Sequence, residues 1–153
     1  LGVAGLGAMR ITSDSAVATI ARIINDQRPN GNGTAGFAFE ARTLDEAGTG
    51  GLLPFLSNAT DFRTNIGYFN PLATPVRLTL TAHASASGAI LGSNTIVVPG
   101  YGSTLQAIFG VLTSVPEASR SQEDFYVVWS SDAPVFVYAS VTDNLTGDGV
   151  FLQ

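Results

Sequence analysis

The chain has 153 residues, 45% of them hydrophobic, and a formal net charge of −5 from 12 acidic and 7 basic residues. That length fits one domain, and its 12% of charged residues is about half the usual share of roughly 25% in soluble domains. Every basic residue is Arg and none lies in a basic run, which argues against nucleic acid or an anionic membrane as partner, since phosphate affinity needs clustered cations.

No cysteine is present, so disulfides and thiolate chemistry are excluded. No positively charged segment precedes the apolar stretch near the start, so no signal peptide is read there. A chain this poor in charge must hide much of its surface, either internally or against neighbours.

Taken in order, residues 8–12 and 16–25 read as a hairpin, with Val17, Thr19, Ala21 and Ile23 sharing one face. Gly31-Asn32-Gly33-Thr34-Ala35-Gly36 satisfies the dinucleotide pattern letter for letter, but that fingerprint needs a strand before it and a helix after it. Pro29 precedes it and Phe37-Ala38-Phe39 alternates after it, so it reads as a hairpin loop. Gly5-Leu6-Gly7 lacks the third glycine. Thr43-Leu44-Asp45-Glu46-Ala47 is the one helix-favouring segment, with Thr43 as cap and Glu46 completing a capping box. The 43–61 stretch, with Gly50-Gly51 and Pro54, is expected to be a connection crossing between sheets.

A strand is expected over 62–69, closed by Asn70-Pro71, and another over 76–83. In the second, Val76, Leu78, Leu80 and Ala82 take one face and Arg77, Thr79, Thr81 and His83 the other. Residues 90–98 form a strand ended by Pro99-Gly100, and 105–112 reads as a strand with helix as the alternative. Residues 125–129 and 135–141 read as a hairpin across the 130–134 turn.

The N-terminal segment is repeated near the C-terminus. Residues 13–26 reappear as residues 131–144 at a constant offset of 118 (132 minus 14, and 139 minus 21), with Ala21 facing Ala139 and Ile11 facing Trp129. A Gly-rich turn then leads to Phe37 in one copy and Phe151 in the other. Such a shift is one domain length and points to a duplicated module or an array cut off-register. The repeat predicts that Val17, Thr19, Ala21 and Ile23 face a core as Val135, Val137, Ala139 and Val141 do. The fold expected is all-β: an antiparallel immunoglobulin-like β-sandwich with an additional N-terminal hairpin, a jelly roll being the competitor. Residues 1–153 are read as one domain, with 1–35 as the hairpin repeating 126–153 and 36–153 as the span of a complete module.

The second half resembles a repeated β-sandwich module of secreted, multidomain bacterial proteins of mostly unassigned function. The likeness spans about residues 50–153 and rests on Phe62-Arg63-Thr64-Asn65-Ile66-Gly67, Asn70-Pro71, Thr74-Pro75-Val76, Ser87-Gly88-Ala89-Ile90-Leu91-Gly92-Ser93, Val98-Pro99-Gly100 and Tyr138-Ala139-Ser140-Val141-Thr142-Asp143-Asn144-Leu145-Thr146-Gly147-Asp148. It implies export and a spacer or accessory role, and carries no catalytic residue across. In the first copy Gln27-Arg28-Pro29-Asn30-Gly31-Asn32-Gly33 replaces the second copy's Leu145-Thr146-Gly147-Asp148 turn.

No catalytic, cofactor-binding or metal-binding residue is assigned from the sequence. His83 is the lone histidine, on the polar side of a strand, and no Gly-x-Ser-x-Gly elbow supplies a nucleophile. The pairs Asp45/Glu46 and Glu123/Asp124 read as solvated turns. Asp143, Asn144, Thr146 and Asp148 have the oxygen spacing of a Ca²⁺ corner, with an Asx-type turn as the plainer explanation. Tyr68, Phe69, Tyr101 and Trp129 are candidates for a sugar platform, although Trp129 takes a core position of the repeat. Asn32, Asn58 and Asn144 begin Asn-x-Thr sequons in expected turns. These readings give a non-catalytic, extracellular or cell-surface structural or adhesive module that pairs through edge strands with copies of itself, in a filament or surface array, or with flanking modules of the same protein. The alternative is a carbohydrate-binding accessory module.

Overall fold

The computed structural model describes residues 7–26, 28–31 and 33–153. Nine strands follow in order: β1 (Ile20–Asp26), β2 (Thr34–Glu40), β3 (Gly48–Asn58), β4 (Phe62–Phe69), β5 (Val76–Ala84), β6 (Ile90–Val98), β7 (Ser103–Ala107), β8 (Gln122–Asp143) and β9 (Gly149–Leu152). One helical turn, α1 (Ile108–Val111), follows β7. Every strand pairing is antiparallel. The chain is an all-β sandwich with an additional N-terminal hairpin.

The 22-residue β8 organises it. Its first half pairs with β3 and β5, giving the order β6-β5-β8-β3. Its second half pairs with β4 and β9, giving β7-β4-β8-β9. One strand therefore belongs to both sheets. The expected hairpin across 130–134 is corrected here: Ser131-Asp132-Ala133-Pro134 marks a corner, not a reversal. Pro134 can donate no ladder hydrogen bond, and Asp132 Oδ1 accepts the Arg77 N–H at 2.8 Å while Ser131 Oγ donates to the Ala133 carbonyl at 2.8 Å. The strand changes partners at this point without turning back.

The core lies on the alternate residues that periodicity selects. Val76, Leu78, Leu80 and Ala82 of β5 and Phe125, Val127 and Trp129 of β8 are buried, together with Ile66, Val135, Val137 and Ala139 of the second sheet. Residues 105–112, read as strand or helix, are both in turn. β7 ends at Ala107, and α1 then drops Ile108, Phe109 and Val111 into the core, where Phe109 stacks on Phe125 at 5.7 Å.

β3 replaces the expected 43–61 connection. Its glycines make room for one indole: a Cβ on Gly51 would come within 2.7 Å of Trp129 Nε1. Pro54 sits where the ladder is broken by a bulge, a position that tolerates proline on an edge strand. The capping box does form, Glu46 Oε2 accepting the Thr43 N–H at 2.7 Å, around the single 3₁₀ turn Leu44–Glu46.

The first repeat copy departs from expectation. Residues 8–12 and 16–19 form no strand, and β1 pairs with β2 instead. Ala139 is fully buried, whereas Ala21 is half-buried and Val17 and Ile23 are exposed. Equal text meets unequal surroundings, because at 139–142 the strand is flanked by both β4 and β9, while among the described residues β1 is flanked by β2 alone.

Candidate functional site

The chemistry-bearing side chains are dispersed and engaged in structure. His83 Nδ1 lies 3.0 Å from the Gly88 carbonyl, and its ring stacks on Tyr126 with centroids 5.0 Å apart. The Thr43 N–H and hydroxyl hold Glu46 below the usual carboxylate range, while Arg42 Nε approaches it at 3.1 Å. A hydrogen bond with the Thr43 side chain lowers Asp45 as well.

The 143–148 corner is an Asx-type turn. Asp143 Oδ1 accepts the N–H of Leu145 at 2.7 Å and of Thr146 at 3.0 Å. These donors, Thr146 first, keep the Asp143 carboxyl below its ordinary value. Asp148 Oδ1 accepts the Gly149 N–H at 3.0 Å, and Asn144 bridges Arg63 Nη1 and the Thr60 carbonyl. Among the described residues, no three His, Cys, Asp or Glu side chains gather as a metal cluster.

Of the sequons, Asn32 lies outside the described residues, as do Gly5 and Leu6. Asn58 is half-buried and bonded at both ends, Oδ1 to the Thr64 N–H and Nδ2 to the Arg120 carbonyl. Gly31 has φ 81° in the loop between β1 and β2, as the hairpin-loop reading requires. No helix is long and apolar enough to cross a membrane among the described residues.

The four proposed platform aromatics separate. Tyr68 packs against the core, and burial raises its hydroxyl pKa. Trp129 is 9% exposed and belongs to the core. Tyr101 stands alone on a turn with φ 58°. Phe69 is half-buried and stacked on Phe136 at 6.2 Å.

Two surfaces stand out instead. The first is an aromatic chain on the outer side of the second sheet. Tyr138 lies across Gly67, where a Cβ would fall inside its ring, and stacks on Phe151 at 5.1 Å. Phe151 in turn carries Phe39 at 4.5 Å and Phe37 at 5.9 Å. This chain fixes the β1–β2 ribbon to the sandwich. The ribbon's other side presents Ile20, 69% exposed, and Ile24, 55% exposed, and no strand pairs with the outer edge of β1 among the described residues.

The second surface surrounds Phe55 in the β3 bulge. Leu53 pairs with Val127 and Leu56 with Phe125, so Pro54 and Phe55 together oppose Tyr126. The extra residue lets both leucines bury and turns Phe55 outward, 82% exposed, with φ 56°. A left-handed backbone costs a bulky residue about 1–3 kcal/mol, and exposure forgoes the roughly 1.5–3 kcal/mol that burying the ring would contribute. Leu52, Pro54, Phe55, Ser85, Asp124 and Tyr126 line a cleft of about 460 Å³ there. Sequence reading missed this site because a Pro-Phe pair after two glycines looks like a loop.

No family model and no curated protein matches this chain. Among solved structures, the chain is similar to the Anabaena sensory rhodopsin transducer at 16% identity, over 60% of this chain and 84% of that one, with a TM-score of 0.47. A likeness of that size carries no argument about activity.

Proposed function

We propose that this chain is a non-catalytic structural or adhesive module, working outside the cell or at its surface, that associates with further copies of itself through the edge of β1. One observation carries the reading. Residues 139–142, paired on both flanks by β4 and β9, recur as residues 21–24 of β1, which among the described residues is paired on one flank. A two-stranded ribbon is marginal by itself, and an open edge is a template for another strand. Natural edges are blunted with Lys or Pro; β1 has neither, and its charges are Arg22 and Asp26 alone. Asp26 is already paired with Arg28 at 2.6 Å.

A second copy is the occupant that the repeat favours, because strand text of this kind already accepts β4-type and β9-type neighbours in this fold. Export rests on the resemblance to secreted modules, since a chain without Cys suits either compartment.

Light scattering and analytical ultracentrifugation of the full chain test the reading. Association is expected for the native chain, and loss of it in the Ile20→Lys/Ile24→Lys variant with an unchanged circular dichroism spectrum, since both side chains point to solvent. A native chain that stays monomeric up to submillimolar concentration would refute self-association.

A further inference from the structure

The fold explains the bulge in β3 but not the residue at its apex. A bulge and a proline blunt an exposed edge, and Pro54 with the Leu53/Leu56 register shift does so here. Glycine or asparagine would take the left-handed position at residue 55 without strain. A large ring held there in solvent serves neither the core nor the edge. Bulges re-aim side chains beside binding sites, and backbone outliers persist where surrounding structure holds them for use.

The neighbours of Phe55 define what the ring meets. Tyr126, opposite the bulge, is backed by His83 in a parallel stack, 3° between ring planes, so its ring is fixed. Asp124 lies two residues before Tyr126 on the same outward face of β8, and Ser85 sits beside it, its N–H donating to the Asp124 carbonyl at 3.3 Å. Rings and Leu52 and Pro54 give the cleft apolar walls, and a carboxylate and a hydroxyl give it polar groups. Small-molecule sites combine apolar walls with a few placed polar groups, and this open cleft has both.

We infer that the Phe55–Tyr126 cleft binds a neutral sugar unit of a polysaccharide, its C–H face lying on the rings and its hydroxyls donating to Asp124. The lining contains a carboxylate and no cation, so an anionic sugar meets repulsion. An added peptide strand meets Pro54 and a broken ladder. A pyranose suits both features, because one face is apolar and the rim carries hydroxyl donors.

The inference is separable from self-association, because it concerns β3 and not β1. Affinity electrophoresis and calorimetry of the full chain would use soluble neutral glucan, xylan and galactomannan, with the free monosaccharides as a second arm. Saturable binding to at least one polymer is expected, weakened tenfold or more in Phe55→Asn and Tyr126→Ala and retained within about threefold in Phe55→Trp, a change near 0.65 kcal/mol by RT ln 3. The melting temperature of Phe55→Asn is expected to equal or exceed that of the native chain. Binding to none of the polymers would overturn the inference, as would binding that Phe55→Asn leaves unchanged. A Phe55→Asn variant that alters the oligomeric state instead would assign the ring to a protein contact and equally overturn it.

Discussion

Adding one methyl group at Gly67 should detach the N-terminal ribbon from a distance. Gly67 lies in β4, opposite Tyr138 of β8, and the Tyr138 ring occupies the space a Cβ would need. In Gly67→Ala the ring must swing away, because the backbone on both sides is locked into the central ladder between β7 and β8. Three contributions set the size of the effect. Overpacking costs about 1–3 kcal/mol, and loss of the Tyr138–Phe151 stack costs about 0.5–1.5 kcal/mol. Replacing glycine within a strand returns about 0.5–1 kcal/mol.

The balance is a destabilisation of about 2 kcal/mol, which for a chain of this size is a fall in melting temperature of roughly 4–8 °C. Phe151 also holds Phe37 and Phe39, so the ribbon should loosen as the ring moves. Limited trypsin digestion reads this directly, since Arg22 lies within β1 and Arg42 just after β2. Cleavage there should be faster in Gly67→Ala, while the remainder of the sandwich resists. In a Tyr138→Ala background the same substitution should be neutral or stabilising. A Gly67→Ala variant with native melting temperature and native digestion rate would refute the account of this aromatic chain.

Two further expectations concern polar groups. Asn70 is fully buried; its Nδ2 donates to the carbonyls of Thr74, Val98 and Pro99, and its Oδ1 accepts the Leu72 N–H. Asn70→Ala strands these groups and should cost on the order of 3 kcal/mol in urea denaturation; a loss below that of a typical surface substitution would refute its role as the tie between the two turns. Asp143 has a folded-state pKa below its unfolded value, from the Thr146 and Leu145 N–H donors. Its stabilisation is therefore complete above the unfolded value and is lost as pH falls through the folded value, in the range below about pH 4. The stability difference between native chain and Asp143→Ala should shrink as pH is lowered through that range, and a difference constant with pH would refute the assignment.

The readable part of this fold was the part with strict alternation. The bounds of β4, β5 and β6 match expectation within a residue or two because each turns one face inward, fully buried at Val76, Leu78, Leu80 and Ala82 of β5 and half-buried along most of β6. β3 was hidden because its residues answer to something local sequence does not display. Gly51 is small to admit the Trp129 indole, and Pro54 is tolerated because the strand is an edge with a bulge. Ser131 to Pro134 carries the letters of a turn, yet a turn and a corner between sheets use the same chemistry, a missing donor and side chains that satisfy stray backbone groups. Nothing local distinguishes them. The cleft beside Phe55 was unreadable for a related reason, since a left-handed backbone at a phenylalanine leaves no mark in the sequence.

The repeat shows where sequence similarity stops determining environment. Ala21 and Ala139 follow equivalent alternating text and both sit in antiparallel strands, each followed by a glycine-bearing turn and a return strand. What differs is the neighbour on the other side. At Ala139 that neighbour is Ile66 of β4, itself fully buried; at Ala21 no strand supplies it among the described residues. Burial of small aliphatic side chains is a property of the sheet that assembles around them, at about 25 cal/mol per Å² of apolar surface removed from water. The first copy has the pattern for burial without the sheet to provide it. A strand laid along β1 by a second molecule would supply that neighbour, and the exposed Ile20 and Ile24 would then gain the cross-strand contacts that they lack in the isolated chain.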